Sequence, residues 1–441
     1  MIEMAKLRAG AATSVLTPPL GTEMIGFFNV RLAEDVHDEL HAKAFVFESG
    51  DTQVALVVCD LIALEMRDVA DIKRRASDLT DIPPGNIMVS CTHSHYVPAT
   101  ASIFNSERDD EYTADAVVKI ADAAKIAQNR LAPARIGHAS GMCPEETHNR
   151  RYRMKDGSVR MNPGYLNSEI ISPAGPIDPE VGILAIEGSA GGVLGAIGNY
   201  SLHYVGGPYA TTITADYFGA FGRALQRMAG DGFVAAMANG CCGDINNIDP
   251  TRPAPLFPEP FYQMERVGQV VASRAFGAWR QVRDFDYEPR LGAATATMTF
   301  HRRHPSEEEL AEAQRLVEAG PDPDNRDWVY ANETIEVSRL PVEEEIEIQA
   351  LGIGAVGIVG LPGEIFVEYG LAIKRRSPFA RTFVVELANG TVGYCPTDRA
   401  LEEGSYETRL ARSACADAGT ERAMIDAAVE ALTQAHEQIA G

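Results

Sequence analysis

The sequence predicts an α/β fold: a mixed, largely buried β-sheet flanked by helices in a single large catalytic domain spanning residues 1–441. Three observations carry that expectation. Runs of β-branched and aromatic residues alternate with stretches whose apolar residues recur at helical spacing. Several of these runs are apolar on both faces, as strands covered on both sides must be. With 441 residues, 45% apolar and 23% charged, the chain can bury the core such a sheet needs.

In chain order, "KAFVFES" and "VALVVCDLIAL" read as strands and "DVADIKRRASDL" as the helix after them. "GNIMVSCTHSH" is the next strand, and "YTADAVVKIADAAKIAQNRL" is a long helix with Ala, Val and Ile on one face. "VGILAIEG" and "VLGAIGNYSLH" read as paired strands, and "YFGAFGRALQRMAG" as a helix. "GFVAAMANGCCGD" is a strand running into a Gly-rich loop, and "YQMERVGQVVASRAFGAWRQV" is helical. "EIQALGIGAVGIVGLPGEIF" and "TFVVELANGTVGYCP" add strands before a closing helix, "ERAMIDAAVEALTQAHEQI". The one compositional break is 301–328, a polar helix with Pro/Asp-rich exits between strands, which reads as an insertion or lid.

The net charge of −23 disfavours nucleic acid and anionic membrane surfaces as partners, because phosphate would be repelled. No apolar window reaches bilayer-spanning length and the N-terminus lacks a leader-like apolar run, so the expectation is a cytoplasmic protein without membrane insertion. Seven scattered cysteines without CxxC spacing suit buried thiols in a reducing compartment.

Chemistry-bearing residues cluster at strand ends. His93 and His95 in "CTHSH" stand at i and i+2, so on extended chain both imidazoles address one object, one as metal ligand and the other as base or substrate contact. The alternative is two satisfied histidines. His203 ends a second apolar run, and Glu364 follows "IVGLPG", where a buried carboxylate needs a cation or several donors, or else serves the N-terminal turn of the next helix. Tyr394 follows a Gly-rich turn. Two histidines, a glutamate and a phenol at strand ends make a zinc site with an open position. Gly243, Asp244 and Asn246 in "GCCGDIN" form a polar loop able to present backbone N–H groups to an oxyanion. Cys241 and Cys242 admit a thiol-nucleophile reading. "GIGAVG" matches GxGxxG but continues as apolar strand, so it is no dinucleotide site; "VHDELHAK" is not HExxH.

Taken together, the ordered motifs "CDLIAL", "CTHSH", "HNRR", "NYSLH…TADYFG", "NGCCGDIN", "GLPGE" and "GYCPT…GSYE", with a GFxxxR-like stretch over Thr22 to Arg31, resemble the catalytic domain of the neutral/alkaline (non-lysosomal) ceramidase family over roughly residues 12 to 410. The resemblance implies Zn²⁺ as cofactor, held by His93, His203, Glu364 and Tyr394, with His95 beside the metal-bound water. It also implies catalytic roles for Arg150 (Arg151 being the alternative register) and Tyr406. Three departures accompany it. Asn246 stands where the family's loop has a serine, no C-terminal immunoglobulin-like domain is expected, and "HSHYVPAT" replaces the family's "HSGP" run.

The function this implies is zinc-dependent hydrolysis of a C–N amide bond in a small N-acyl or cyclic-amide substrate. His95 moves protons, Tyr394, Tyr406 or Arg150 stabilises the oxyanion, Asn246 holds substrate or orders water, and Asp60 and Asp216 orient histidines. A zinc lactonase or esterase would use the same parts. A non-catalytic binding protein and a cysteine hydrolase are the contrasting readings, and a homo-oligomer is compatible with all of them.

Overall fold

The computed structural model describes residues 6–206, 209–230, 232–257 and 259–440; residues 1–5, where the leader was sought, fall outside that range. The chain forms the expected mixed α/β domain, but its main strands divide between two sheets, beside smaller ladders. The larger contains β1 (Leu7–Val15), β2 (His41–Ser49), β3 (Thr52–Cys59), β4 (Ile87–Cys91), β5 (Ala132–Met142), β6 (Glu180–Gly188), β7 (Val193–Tyr200) and β8 (Val234–Asn239). Their spatial order is β8-β7-β6-β5-β1-β2-β3-β4. The β3–β4 and β7–β8 pairs are parallel and the rest antiparallel. The smaller contains β9 (Leu291–His301), β10 (Glu343–Ile353), β11 (Val356–Gly360) and β12 (Arg381–Val385) in sequential order, with only β11–β12 parallel.

The two sheets share one apolar core, which explains why their strands are apolar on both faces. In β2, Phe45 and Phe47 join Leu184, Leu351, Ile358 and Phe383 between the sheets. The alternate residues Ala42, Ala44 and Val46 face outward onto α1 (Met66–Thr80) and α2 (Asp110–Asn129). The other half of that outer face is covered by α3 (Asp216–Ala229) and α4 (Tyr262–Trp279), through Phe218, Phe221, Leu225, Val267 and Val271. On the far side, α7 (Val367–Arg376) and α8 (Thr420–Ala440) cover the smaller sheet with Tyr369, Ile373, Ala428 and Leu432. The result is four layers: helices, sheet, sheet, helices.

The parallel pairs bring several strand C-termini together. Asn239, ending β8, reaches the Thr92 carbonyl after β4 (3.2 Å), and the Glu386 N–H after β12 donates to the Asn239 carbonyl (3.1 Å). Ligand sites form at such carboxyl edges. "GIGAVG" is a hairpin from β10 into β11 with Gly354 at its turn, as the rejection of a dinucleotide site required.

The insertion is larger than its composition suggested. Between β9 and its partner β10 run α5 (Glu307–Glu318) and α6 (Arg326–Arg339), so the added helical pair continues to residue 339. The second helix escaped the sequence reading because no apolar stripe marks it. Val329 and Tyr330 pack with Phe104 and Ala411, Val337 joins the core of the smaller sheet, and the buried Glu333 accepts from the Phe104 N–H (2.8 Å) and forms an ion pair with Arg412 (2.7 Å).

Candidate metal centre

His93, His95 and His203 meet where the strands end. The expectation for the first two assumed extended chain; in fact β4 stops at Cys91, and His93 has φ +73. A buried non-glycine residue in the left-handed region is strained and persists where surrounding contacts fix it. Here the His93 N–H donates to the Leu61 carbonyl (2.9 Å). The two rings still converge, with Nε2 atoms 3.3 Å apart, and His95 Nε2 lies 2.9 Å from His203 Nε2.

Hydrogen-bond partners assign the tautomers. His93 Nδ1 faces the Ile62 carbonyl (3.1 Å) and His95 Nδ1 the Gly26 carbonyl (2.7 Å). A carbonyl only accepts, so both nitrogens carry hydrogen and both Nε2 atoms offer lone pairs to the cluster. His203 Nδ1 instead faces the Arg150 guanidinium (3.0 Å), which only donates. In the metal-free chain His203 therefore keeps its proton on Nε2 and gives it to His95, a proton that metal binding there would displace.

Two short ladders deliver the remaining groups. Glu364–Ile365 pairs in parallel with Tyr394–Cys395, setting Glu364 directly beside Tyr394. Ile245–Asn246 pairs with His148–Asn149, which brings the "HNRR" and "GDIN" segments together. Gly243 is required by this approach, since a Cβ there would stand 2.5 Å from the Glu364 carbonyl oxygen. Glu364 Oε2 lies 3.2 Å from His93 Nε2, is buried, and makes no hydrogen bond.

Arg150 ties the site together. Its Nη1 meets His203, its Nη2 donates to the Tyr394 hydroxyl (3.0 Å), and its Nε donates to the fully buried Glu407 (2.9 Å). Burial works against its charge, but Tyr394 and Glu407 outweigh it and hold the guanidinium above its ordinary range. Arg151 turns to the opposite side, toward Glu407 and Glu403, so the register through Arg150 is the one that reaches the centre. Tyr406 packs edge-on against Tyr394 at 5.8 Å. Asn246 makes no contact with the cluster; its amide is spent on Asn162 (2.7 Å) and on the Ile248 N–H (3.0 Å).

The donor set fits a divalent cation. Bonds of about 2.0–2.1 Å around a tetrahedral ion place ligand atoms about 3.3 Å apart. The separations of 3.3 Å (His93–His95), 3.2 Å (His93–Glu364) and 2.9 Å (His95–His203) lie close to that edge. All three imidazoles can supply ligand atoms within 4.8 Å of one another. Burial depresses His95 and His203 well below the ordinary imidazole range, with His93 and Arg150 respectively acting the same way. Burial would depress His93 too, but the Glu364 carboxylate wins and raises it. The carboxylate that raises His93 would equally attract a cation, and mixed N/O ligation suits zinc, manganese or iron.

Two expectations fail here. Asp60 orients no histidine of the cluster: its carboxylate takes Lys43 Nζ (2.7 Å) and the His41 N–H (3.0 Å). Asp216 is buried at the start of α3, where one oxygen accepts its neighbour's N–H and the other has no partner. Cys241 and Cys242 are both buried, and burial pushes their thiols up, so neither has the thiolate character a nucleophile needs. Glu407 and Glu386 were missed. Glu386 accepts from the N–H groups of Cys242 and Ile365 (both 3.0 Å), anchoring the "GCCGD" loop and the Glu364 ladder at one point. "GSYE" and "VVELANG" carry no local mark that separates these glutamates from exposed ones.

A cavity of about 440 Å³ opens onto His93 and Glu364. Its walls are mainly apolar, with Ile62, Met66, Ile103 and Val392, while Leu340 and Pro341 from the end of the insertion close one side.

Fold and centre together define a class: a four-layer α/β scaffold with a metal-capable histidine cluster at the carboxyl ends of its strands. Among solved structures, the chain is similar to the neutral ceramidase from Pseudomonas aeruginosa, with a TM-score of 0.74 and 19% identity over 97% of this chain and 74% of that one. It is likewise similar to a ceramidase complexed with C2, with a TM-score of 0.75 and 18% identity over 99% of this chain and 76% of that one. The fold is thus the one the ceramidase resemblance implied. No family model matches the sequence, and no curated protein matches it significantly.

Proposed function

We propose that this chain is a metal-dependent amidohydrolase cleaving the C–N bond of a small N-acyl or cyclic amide, with zinc held by His93, His203, Glu364 and Tyr394. The observation that supports it most is the buried Glu364 oxygen, 3.2 Å from His93 Nε2 at the edge of the histidine cluster. A carboxylate so placed without a cation would be costly. When bound, the metal supplies an activated water and a Lewis acid for the substrate carbonyl.

The chain's own residues do the rest. His95 is the partly exposed member of the cluster, with its Nε2 lone pair directed inward, so it accepts the proton of the attacking water. It returns that proton to the leaving nitrogen, since an amide anion does not leave at neutral pH. Arg150 stays charged and donates to the Tyr394 oxygen, which holds that ring at the centre beside developing negative charge. Tyr406, against the same ring, borders that position.

The cavity sets the character of the substrate. Its mainly apolar walls suit the acyl part of an amide, with the polar end toward His93 and Glu364. The insertion, which contributes Leu340 and Pro341 to one wall, acts as a size filter. The test is a panel of N-acyl amides of rising chain length, with matched esters and lactones, assayed on metal-reconstituted enzyme. Amide turnover that peaks at short chains and is lost in His95→Ala is expected. Turnover of esters or lactones alone would transfer the assignment to the esterase reading.

A further inference from the structure

The geometry points to Arg31 as the positioning residue of His95: its guanidinium holds together the three chain segments that aim the His95 ring into the cluster. Arg31 is 7% exposed, and among the described residues no carboxylate forms an ion pair with it. Its partners are backbone carbonyls. Nη2 donates to Ile25 (2.6 Å) and His95 (2.9 Å), and Nη1 donates to Ala210 (2.6 Å). The guanidinium carbon also sits 3.9 Å over the Phe27 ring. Burying a charge without a counter-ion is expensive, so a chain that needed only packing here would be better served by an apolar residue.

What the arrangement accomplishes is specific. The carbonyl that fixes the His95 tautomer belongs to Gly26, adjacent to Ile25. By bonding Ile25 and His95 with a single nitrogen, Arg31 sets the separation between the Gly26 carbonyl and the ring that donates to it. That approach is close. Gly26 has φ +104, and a Cβ on it would stand 2.8 Å from His95 Nδ1. Phe27 then closes on the ring edge-on, at 6.2 Å and 86°. Through Ala210 the same guanidinium reaches the segment that follows His203. A planar fork can serve three carbonyls at fixed spacing, whereas an ammonium cannot.

The inference rests on the functional reading above only for its metal arm, so the test has a second arm that needs no metal. In the metal-free protein, the ¹⁵N spectrum of the histidine rings reports which nitrogen of His95 carries hydrogen. Wild type shows one Nδ1–H tautomer; Arg31→Gln and Arg31→Lys show a mixture. On metal titration against a competing chelator, both variants bind zinc within a few-fold of wild type, because His95 is no ligand in that reading, whereas turnover of a short N-acyl amide by the zinc-loaded variants falls about 100-fold, the lower end of what a positioned base contributes. A folded variant that keeps the single tautomer overturns the inference. So does unfolding of both variants, which would assign Arg31 to global stability. If the tautomers mix while wild type itself binds no metal, the positioning role stands and the metal reading falls.

Discussion

Replacing Glu407 by glutamine removes the only carboxylate that forms an ion pair with Arg150 among the described residues. Glu407 is 0% exposed and serves two guanidinium groups, Arg150 Nε at 2.9 Å and Arg151 Nη1 at 3.0 Å. Arg151 retains Glu403 at 3.4 Å, but Arg150 keeps only His203 and Tyr394 and is left as a buried charge without a carboxylate. Breaking such a pair costs about 3–5 kcal/mol. The amide keeps one acceptor oxygen, so the expected loss is about 3 kcal/mol, large against a typical total of about 5–15 kcal/mol yet compatible with folding. Urea unfolding of the variant measures it. Glu403→Gln is the internal control: its partner Arg153 is partly exposed, and the loss should stay near or below about 1 kcal/mol. Adding Arg150→Met to Glu407→Gln removes the stranded charge and should restore about 1 kcal/mol or more. Equal losses for Glu407→Gln and Glu403→Gln, or strict additivity in the double variant, would refute the reasoning.

Protonation should compete with metal at the centre. His93, raised by Glu364, takes a proton first as pH falls, whereas His95 and His203 are held well below the ordinary range and follow later. Metal retained after dialysis against chelator should therefore fall steadily from neutral pH downward; retention unchanged to pH 5 would contradict the ligand assignment. Glu386 is raised from an ordinary value of 4.5 to about 7, chiefly by burial. Its folded value exceeds its unfolded one, so its contribution to stability is full below pH 4.5 and lost as pH rises through 7. The span is about 3 kcal/mol. Glu386→Gln cannot ionise, so in metal-free protein its urea midpoint should gain on wild type across that interval; a pH-independent difference would contradict this. Iodoacetamide should leave native activity intact, because all seven cysteines are buried, while a chelator abolishes it; the reverse pattern would revive the cysteine-hydrolase reading.

Much of the site was legible because its residues sit where apolar runs end, and that local signal survives folding. His93, His203 and Glu364 drew attention this way, and Tyr394 by following a Gly-rich turn. The ladder that seats Glu364 beside Tyr394 shows why two separate turns describe one place. What escaped depends on partners distant in sequence. Arg150 and Glu407 are 257 positions apart and Arg31 and His95 are 64 apart; nothing in "GSYE" or "FNVR" alone announces either bond. The division into two sheets was hidden for a related reason, since a strand apolar on both faces looks the same whether helices or a second sheet cover it. The pairing of His93 with His95 was anticipated on a mistaken geometry. Both rings converge through a left-handed turn at His93 rather than through extended chain.

The central claim is that these residues hold a metal. Mass spectrometry of purified wild type and His93→Ala, in metal-free buffer, tests it most directly. About one divalent ion per chain, lost in the variant, is the result expected from the arrangement of His93, His203, Glu364 and Tyr394. No metal in either protein, even after reconstitution with zinc, would contradict it.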